Sequence, residues 1–256
     1  MTAYSLSTKH GGIRAQHGFT LVEMAVVLAI VGVLIGSMML TLSAQVDQRN
    51  FNETQRRLES AREAILAFAI VNGRLPCPSG APTGGANDGL ESPAGGTCNN
   101  YFNGYLPGRT LAIQPSDSSG YAVDAWGNRL RYVVSNGSSP HFTDSVTLRT
   151  NGISTQPTTL KVCTTSTGIL ASACASNATY EIESSVSIAA IVYSVGKNGA
   201  LTAAGADELA NQNNDAVFVS HTPTPSTATN GEFDDMFVWI TTGTLYGRLI
   251  SAGLLP

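Results

Sequence analysis

The sequence predicts an α+β fold, with a long N-terminal α-helix packed on an antiparallel β-sheet head. Three observations carry that expectation. Residues 24–46 are uncharged and mainly apolar. From Gln45 to Val71 there is neither Gly nor Pro, and apolar residues recur at helical spacing. Beyond Pro76, β-branched and aromatic segments alternate with Gly, Pro, Ser and Asn, without helical stretches between them, which favours antiparallel pairing.

Taken in order, residues 1–18 form a short leader whose only full charges are Lys9 and Arg14, with His10 and His17 beside them. By the positive-inside tendency this end stays in the cytoplasm and the rest of the chain crosses. Residues 19–46 form the apolar helix, interrupted only by Ser37, Thr41, Ser43, Gln45 and glycines after Glu23. As a helix, residues 24–46 extend about 35 Å, enough for a hydrocarbon core of about 30 Å. Glu23 is the anomaly, because a carboxylate in lipid costs roughly 2.5–3.5 kcal/mol and calls for a partner. Gly32 and Gly36 form a G-x-x-x-G pair that lets helices approach closely. There is no proline before Pro76 to bend this segment.

Residues 47–72 read as an amphipathic continuation of the helix. Phe51, Leu58 and Ile65 recur every seven residues, with Ala61 and Phe68 between them, giving one apolar stripe for the head. Arg49, Arg56, Arg57 and Arg62 read as a solvated or subunit-facing surface. Asn72-Gly73 is the expected stop. Residues 73–256 form the head. Residues 76–120 are loop-like, and strands are expected at Leu130–Val134, Ser145–Leu148, Leu160–Cys163, Val186–Val195, Ala216–Val219 and Met236–Thr241. A short helix over Thr244–Leu255 closes the chain, and Gly196-Lys197-Asn198-Gly199 reads as a hairpin turn.

All four cysteines follow the apolar span and so lie on the exported side, where oxidation is possible. They allow three pairings, of which the two local ones, Cys77–Cys98 and Cys163–Cys174, are favoured. No C-x-x-C or Cys–His spacing suits zinc or haem.

His17-Gly18-Phe19-Thr20-Leu21-Val22-Glu23, followed by the apolar helix, resembles the type IV pilin and pseudopilin superfamily. The plainer alternative is a signal-anchor helix with a stray Glu. The resemblance implies a pilin-like fold, cleavage after Gly18 by a prepilin peptidase, and N-methylation of the new amine at Phe19. It also implies that Glu23 pairs with the Phe19 amine of a neighbouring subunit. An ordinary secretory signal loses its apolar core on cleavage, whereas here the cut precedes it and the anchor stays. Asp124-Ala125-Trp126-Gly127-Asn128, together with Tyr193–Gly199 and Asp235-Met236 with Trp239, is similar to the head of the major pseudopilin of type II secretion. It departs from that pattern at Ala125, where proline is common, and in the longer loop over 200–232. That resemblance implies a head that can carry calcium, with Asp207, Asp215, Asp234 and Asp235 as candidate ligands. The favoured reading is no cofactor and ordinary solvated or turn carboxylates, since calcium needs about 6–8 oxygens. Trp126-Gly127 reads as a buried aromatic beside a tight turn.

The formal charge of −4 lacks the basic footprint of a nucleic-acid binder, so no nucleic acid is expected. No G-x-S-x-G, Walker or His-Glu metalloprotease motif is present, although an unmarked Ser/His arrangement among His141, His221 and the many serines stays open. The expectation is a structural subunit rather than an enzyme, polymerised into a type IV pilus-like or type II secretion pseudopilus filament. It would be a single-pass inner-membrane protein with a periplasmic head, extracellular if assembled into a surface pilus. Its partners would be other pilin subunits, prepilin peptidase, an inner-membrane assembly platform and lipid. The alternative is a minor or tip pilin whose head recognises a surface or a secreted protein.

Overall fold

The structure, a computed structural model, describes residues 18–137, 141–152, 158–175, 188–199 and 205–255, without the side chains of 37–44 and 141. The leader ahead of Gly18 lies outside the described residues. The chain divides into two compact units, Met1–Gln48 and Arg49–Pro256. Helix α1 (Leu21–Asn72) belongs in part to each.

In the first unit the apolar side chains of α1 are exposed, from Leu21 at 87% to Ile35 at 53%. They lie on every face of the helix rather than along one stripe. Among the described residues no helix is long and apolar enough to cross a membrane.

In the second unit α1 is amphipathic. Thr54, Leu58, Ala61, Ile65, Leu66 and Ala69 are buried, a spacing of three or four residues that keeps one face on the core. Phe51 and Phe68 of the expected stripe are only half-buried, and Arg74 sits over the Phe68 ring, 5.1 Å from its centroid. Arg57 is not a solvated cation: it bonds Glu53 and caps the carbonyls of Val123 and Asp124 at 3.1 and 2.6 Å. The helix stops where Gly73, at φ 67°, donates its N–H to the Ala69 carbonyl.

The main sheet has the order β1 (Gly104–Tyr105), β2 (Arg131–Val134), β4 (Ile188–Ser194), β6 (Met236–Thr241), each pair antiparallel. One face carries Tyr132, Val134, Ala190, Val192, Val238 and Ile240 against α1 and against α4 (Thr242–Ser251), which contributes Leu245 and Leu249. The other face carries Val133, Ile191 and Tyr193 against Val162 and Phe218 of a second, two-stranded sheet. That sheet is β3 (Lys161–Cys163) with β5 (Val217–Val219), and it is parallel. Covered on both faces, β4 is buried along its whole length and reads as a continuous apolar run rather than an alternation.

Several sequence expectations need correction. Ser145–Leu148 is not a strand but the start of α2 (Ser145–Asn151). Asp144, in extended conformation, accepts the Thr147 N–H at 2.7 Å, and that cap overrides the β-leaning Val146 and Thr147. The segments around Lys161 and Val217 leave the antiparallel sheet to form their own layer. Strand β1 and helix α3 (Ala206–Ala210) were not anticipated. The closing helix starts two residues early, with Thr241 as its cap. Gly196–Gly199 does turn the chain, but it leads to the α3 loop rather than directly to a paired strand. Two disulfides, Cys77–Cys98 and Cys163–Cys174, close surface loops.

Candidate functional site

Two regions carry chemistry, one in each unit. In the first, Gly18, Phe19 and Thr20 precede α1, and Phe19 is 84% exposed. Thr20 caps the helix: its Oγ1 accepts the Glu23 N–H at 3.2 Å. Glu23 reaches back, so that its Oε2 accepts the Thr20 N–H at 2.8 Å and the Thr20 hydroxyl at 2.9 Å. This is a reciprocal capping box, which satisfies donors that a helix start otherwise leaves unpaired. The T-x-x-E spacing was legible in the sequence, where Glu23 is treated only as a carboxylate waiting for another chain. Both bonds from Thr20 end on Oε2. A Cβ placed on Gly32 or Gly36 would meet nothing within 4 Å, so that face of the helix is open.

The second region lies where α3 meets the start of β6. Glu208, Asp234 and Asp235 each place a carboxylate oxygen within 4.8 Å of the others. Two oxygens that each lie about 2.4 Å from one calcium ion are at most about 4.8 Å apart, so the spread suits a single ion. Glu208 is 1% exposed and Asp235 5%. Glu208 accepts the Asp234 N–H at 3.0 Å and two contacts from the Asn198 amide at 3.1 and 3.0 Å. Asp234 accepts the N–H of Lys197 and Asn198 on Oδ2, and Asp235 accepts the Asn211 amide on its own Oδ2 at 2.7 Å. Among the described residues, no hydrogen-bond partner reaches the buried Oδ1 atoms of Asp234 and Asp235.

Burial, reinforced by the Glu208 charge, pushes Asp234 up to about 6. Burial also pushes Asp235 well above the usual carboxylate range, although the Asn211 hydrogen bond opposes it. Three hard oxygen donors, two of them on carboxylates with an unsatisfied oxygen, are the donor chemistry of a calcium-class cation. They do not suit a thiolate- or imidazole-seeking metal.

Of the four sequence candidates, the structure brings Asp234 and Asp235 together and places the other two elsewhere. Asp207, beside Glu208 on α3, accepts the Ser166 N–H at 2.6 Å, the Asn230 amide at 3.1 Å and His221 Nε2 at 3.1 Å. Burial alone would raise Asp207, but these bonds outweigh it and hold it below its ordinary value. Asp215 sits in a surface turn with Asn213 and accepts the Val217 N–H. Glu208 was missed in the sequence, where its signal was the Ala206–Ala210 run in an otherwise polar loop. His221 has oxygen partners at both ring nitrogens, Asp207 and the Thr222 carbonyl, and stacks on Phe233.

The Asp124–Asn128 segment is a structural turn. Asp124 is buried, accepts from Trp126, Asn128 and Ser194, and is raised by desolvation against those bonds. Trp126 is half-buried against the core, and its Nε1 is buried without a partner.

No curated protein and no solved structure matches the chain, and the expected similarity of the head to the major pseudopilin is not shown. Residues 13–39 match the family described as the prokaryotic N-terminal methylation motif, which includes Gly18, Phe19 and Glu23. Through that motif the chain carries the type IV pilin and pseudopilin signal at its N-terminus.

Proposed function

We propose that this chain is a filament subunit, cleaved after Gly18, methylated on the Phe19 amine and polymerised through α1. Before assembly, residues 19–46 would hold it in the inner membrane with the head in the periplasm. An assembly platform would then draw it into a pseudopilus or a type IV pilus-like fibre. The reading is of a structural subunit rather than of an enzyme.

The observation that carries it is the methylation motif, which runs into a helix whose described apolar side chains over residues 21–36 are exposed on every face. Such a surface is stable only when lipid or neighbouring helices cover it. Glu23 supports the same reading. Its cap uses Oε2, and Oε1 would accept from the ammonium of an incoming Phe19. Two charges that are each costly in lipid become tolerable when they meet. The test is N-terminal mass spectrometry of the mature protein, with a methylated Phe19 as the expected first residue. An intact leader, or a cut beyond the apolar run, overturns the reading. Copy number in purified filaments distinguishes a major subunit from a minor or tip subunit.

A second proposal concerns the head, where Asp234 and Asp235 would hold a calcium ion. It is supported by their orphaned Oδ1 atoms and the third carboxylate beside them. Calcium would supply positive charge at the carboxylate oxygens, where Arg131 acts on Asp235 only in part. The protein would supply fixed oxygen ligands and exclude water from Asp235.

A further inference from the structure

We infer that the outer edge of β6 is a docking groove for an extended segment of a partner protein, which would add a strand to the main sheet. The direction of the backbone groups carries the inference. Val134 donates its N–H to the Tyr101 carbonyl, and the Leu130 carbonyl accepts from Leu106, so Leu130, Tyr132 and Val134 turn away from β4. Arg131 and Val133 therefore bond the β4 residues opposite them, Tyr193 and Ile191. The residues between, Ala190, Val192 and Ser194, turn to β6 and meet Ile240, Val238 and Met236. That leaves the N–H and C=O of Phe237 and Trp239 directed outward. Among the described residues no strand pairs with that side of β6.

A row of unpaired backbone donors and acceptors is a template for an extended chain. Such edges are ordinarily guarded by charge or proline, and Met236–Thr241 carries neither. The opposite end of the sheet is closed, since Ser79 and Tyr105 of β1 exchange two hydrogen bonds at 2.9 Å. Beside the open edge runs a groove between β6 and α1, lined by Gln55, Glu59, Arg62, Phe237, Trp239 and Thr244.

The two faces of the edge set what the added strand carries. On one face Phe237, stacked on Tyr193 at 4.9 Å, and Trp239 are half-buried, so residues opposite them pack best as β-branched or aromatic. On the other, Arg62 and Glu59 pair with each other at 3.1 Å and leave a neutral polar wall with Gln55. The partner segment thus alternates apolar residues with uncharged polar ones. A second copy of the chain is the wrong occupant within a fibre. Two copies that share one edge form a closed pair, whereas a fibre grows by joining two different surfaces. That exclusion rests on the filament reading; the open edge does not.

The experiment uses the full chain in detergent micelles and two end-blocked eight-residue peptides that alternate Val and Thr. One is N-methylated on every Thr and the other on every Val, so each keeps a single pairing edge and both share one composition. The first sets Val opposite Phe237 and Trp239, the second sets Thr there. In the free chain, amide exchange should be at least tenfold faster at Phe237 and Trp239 than at Val238 and Ile240. By calorimetry the Thr-methylated peptide should bind one site, at least tenfold tighter than its counterpart, and slow exchange at Phe237 and Trp239. Phe237→Pro removes an outward donor but no bond to β4, so it should stay folded and lose the peptide. Arg56→Ala, at a side chain 81% exposed, should match wild type.

If Phe237 and Trp239 exchange slowly in the free chain at every concentration, the chain covers its own edge and the inference is wrong. If they slow only as concentration rises, a second copy covers the edge and the partner segment is wrong. If wild type binds both peptides alike, or neither, the groove does not read an extended chain, whether or not Phe237→Pro folds. None of these outcomes bears on cleavage after Gly18, which tests the filament reading separately.

Discussion

At the scale of single residues, Glu23 has a role within its own chain besides the one proposed for it between subunits. Within one chain, Glu23 completes the cap of α1 through Oε2. Replacing Thr20 by Ala removes the side-chain half of that box and should cost about 1 kcal/mol locally. The expected readout is faster hydrogen exchange at the Glu23 amide, with the head unaffected. Asp234 gives a prediction in pH. Its folded value, about 6, lies above the ordinary 3.8, so the folded state binds more protons between those values. The Asp234 contribution to the stability of the calcium-stripped chain should therefore grow as pH falls from 7.5 through 6 and be complete near 4. Below that, lowered carboxylates such as Asp207 give up their own contribution. Added calcium, which competes with those protons, should raise the melting temperature at pH 7.5 and do so much less at pH 5. A calcium-free melting temperature that falls steadily over this range would contradict the burial of Asp234. Gly196 guards the same carboxylate. It sits at φ 64°, and a Cβ there would collide with Asp234, so Gly196→Ala should lower the melting temperature by several degrees.

At the scale of elements, the two disulfides make the clearest test. Cys77–Cys98 spans 21 residues and Cys163–Cys174 spans 11. Loss of either closure should destabilise the head by about 3 kcal/mol in the chain-entropy account. Paired Cys→Ser variants, unfolded in denaturant, should show it as a lower midpoint without a change of fold. How much of the fold was legible follows from the kind of signal each element carries. Helix α1, β2, β4 and β6 were readable because long periodicity and β-branched runs declare themselves within one segment. Helix α2 was misread because a single cap at Asp144 outweighs the propensities of Val146 and Thr147. The parallel pairing of β3 with β5 was not readable, since it joins segments more than fifty residues apart and is fixed by Phe218 and Val162 packing on the back of the main sheet. The acidic cluster was half legible for the same reason. Asp234 and Asp235 are adjacent in sequence, whereas the choice between Asp207 and Glu208 depends on which side of one helical turn faces them.

At the scale of the whole molecule, the chain joins a unit that buries little of its apolar surface to a head with a full core. Leu58, Ile65 and Tyr132 are 0% exposed in the head, whereas Leu21 and Val33 stand 87% and 72% exposed in the first unit. The head closes a core with its own residues, although Val71, Val146 and Leu170 stay exposed, whereas the N-terminal unit leaves its apolar side chains uncovered. Copies of the chain would cover them by stacking apolar helices, and Glu23 would set their register by accepting a neighbour's Phe19 amine. Glu23→Ala isolates that step. The change makes the helix more apolar, so membrane insertion and cleavage after Gly18 should be kept. The loss of the cap should cost about 1 kcal/mol at the helix start, too little to release a segment held by lipid. Incorporation into filaments should nevertheless fall severalfold, because the incoming ammonium finds no carboxylate. The measurement compares processed subunit in the membrane with subunit in sheared filaments, in strains matched for expression. Thr20→Ala is the companion variant, since it weakens the same cap but leaves the carboxylate. If both variants lose incorporation equally, the defect belongs to the helix start; if Glu23→Ala assembles at the wild-type level with no other copy present, charge pairing between subunits is not what orders the fibre.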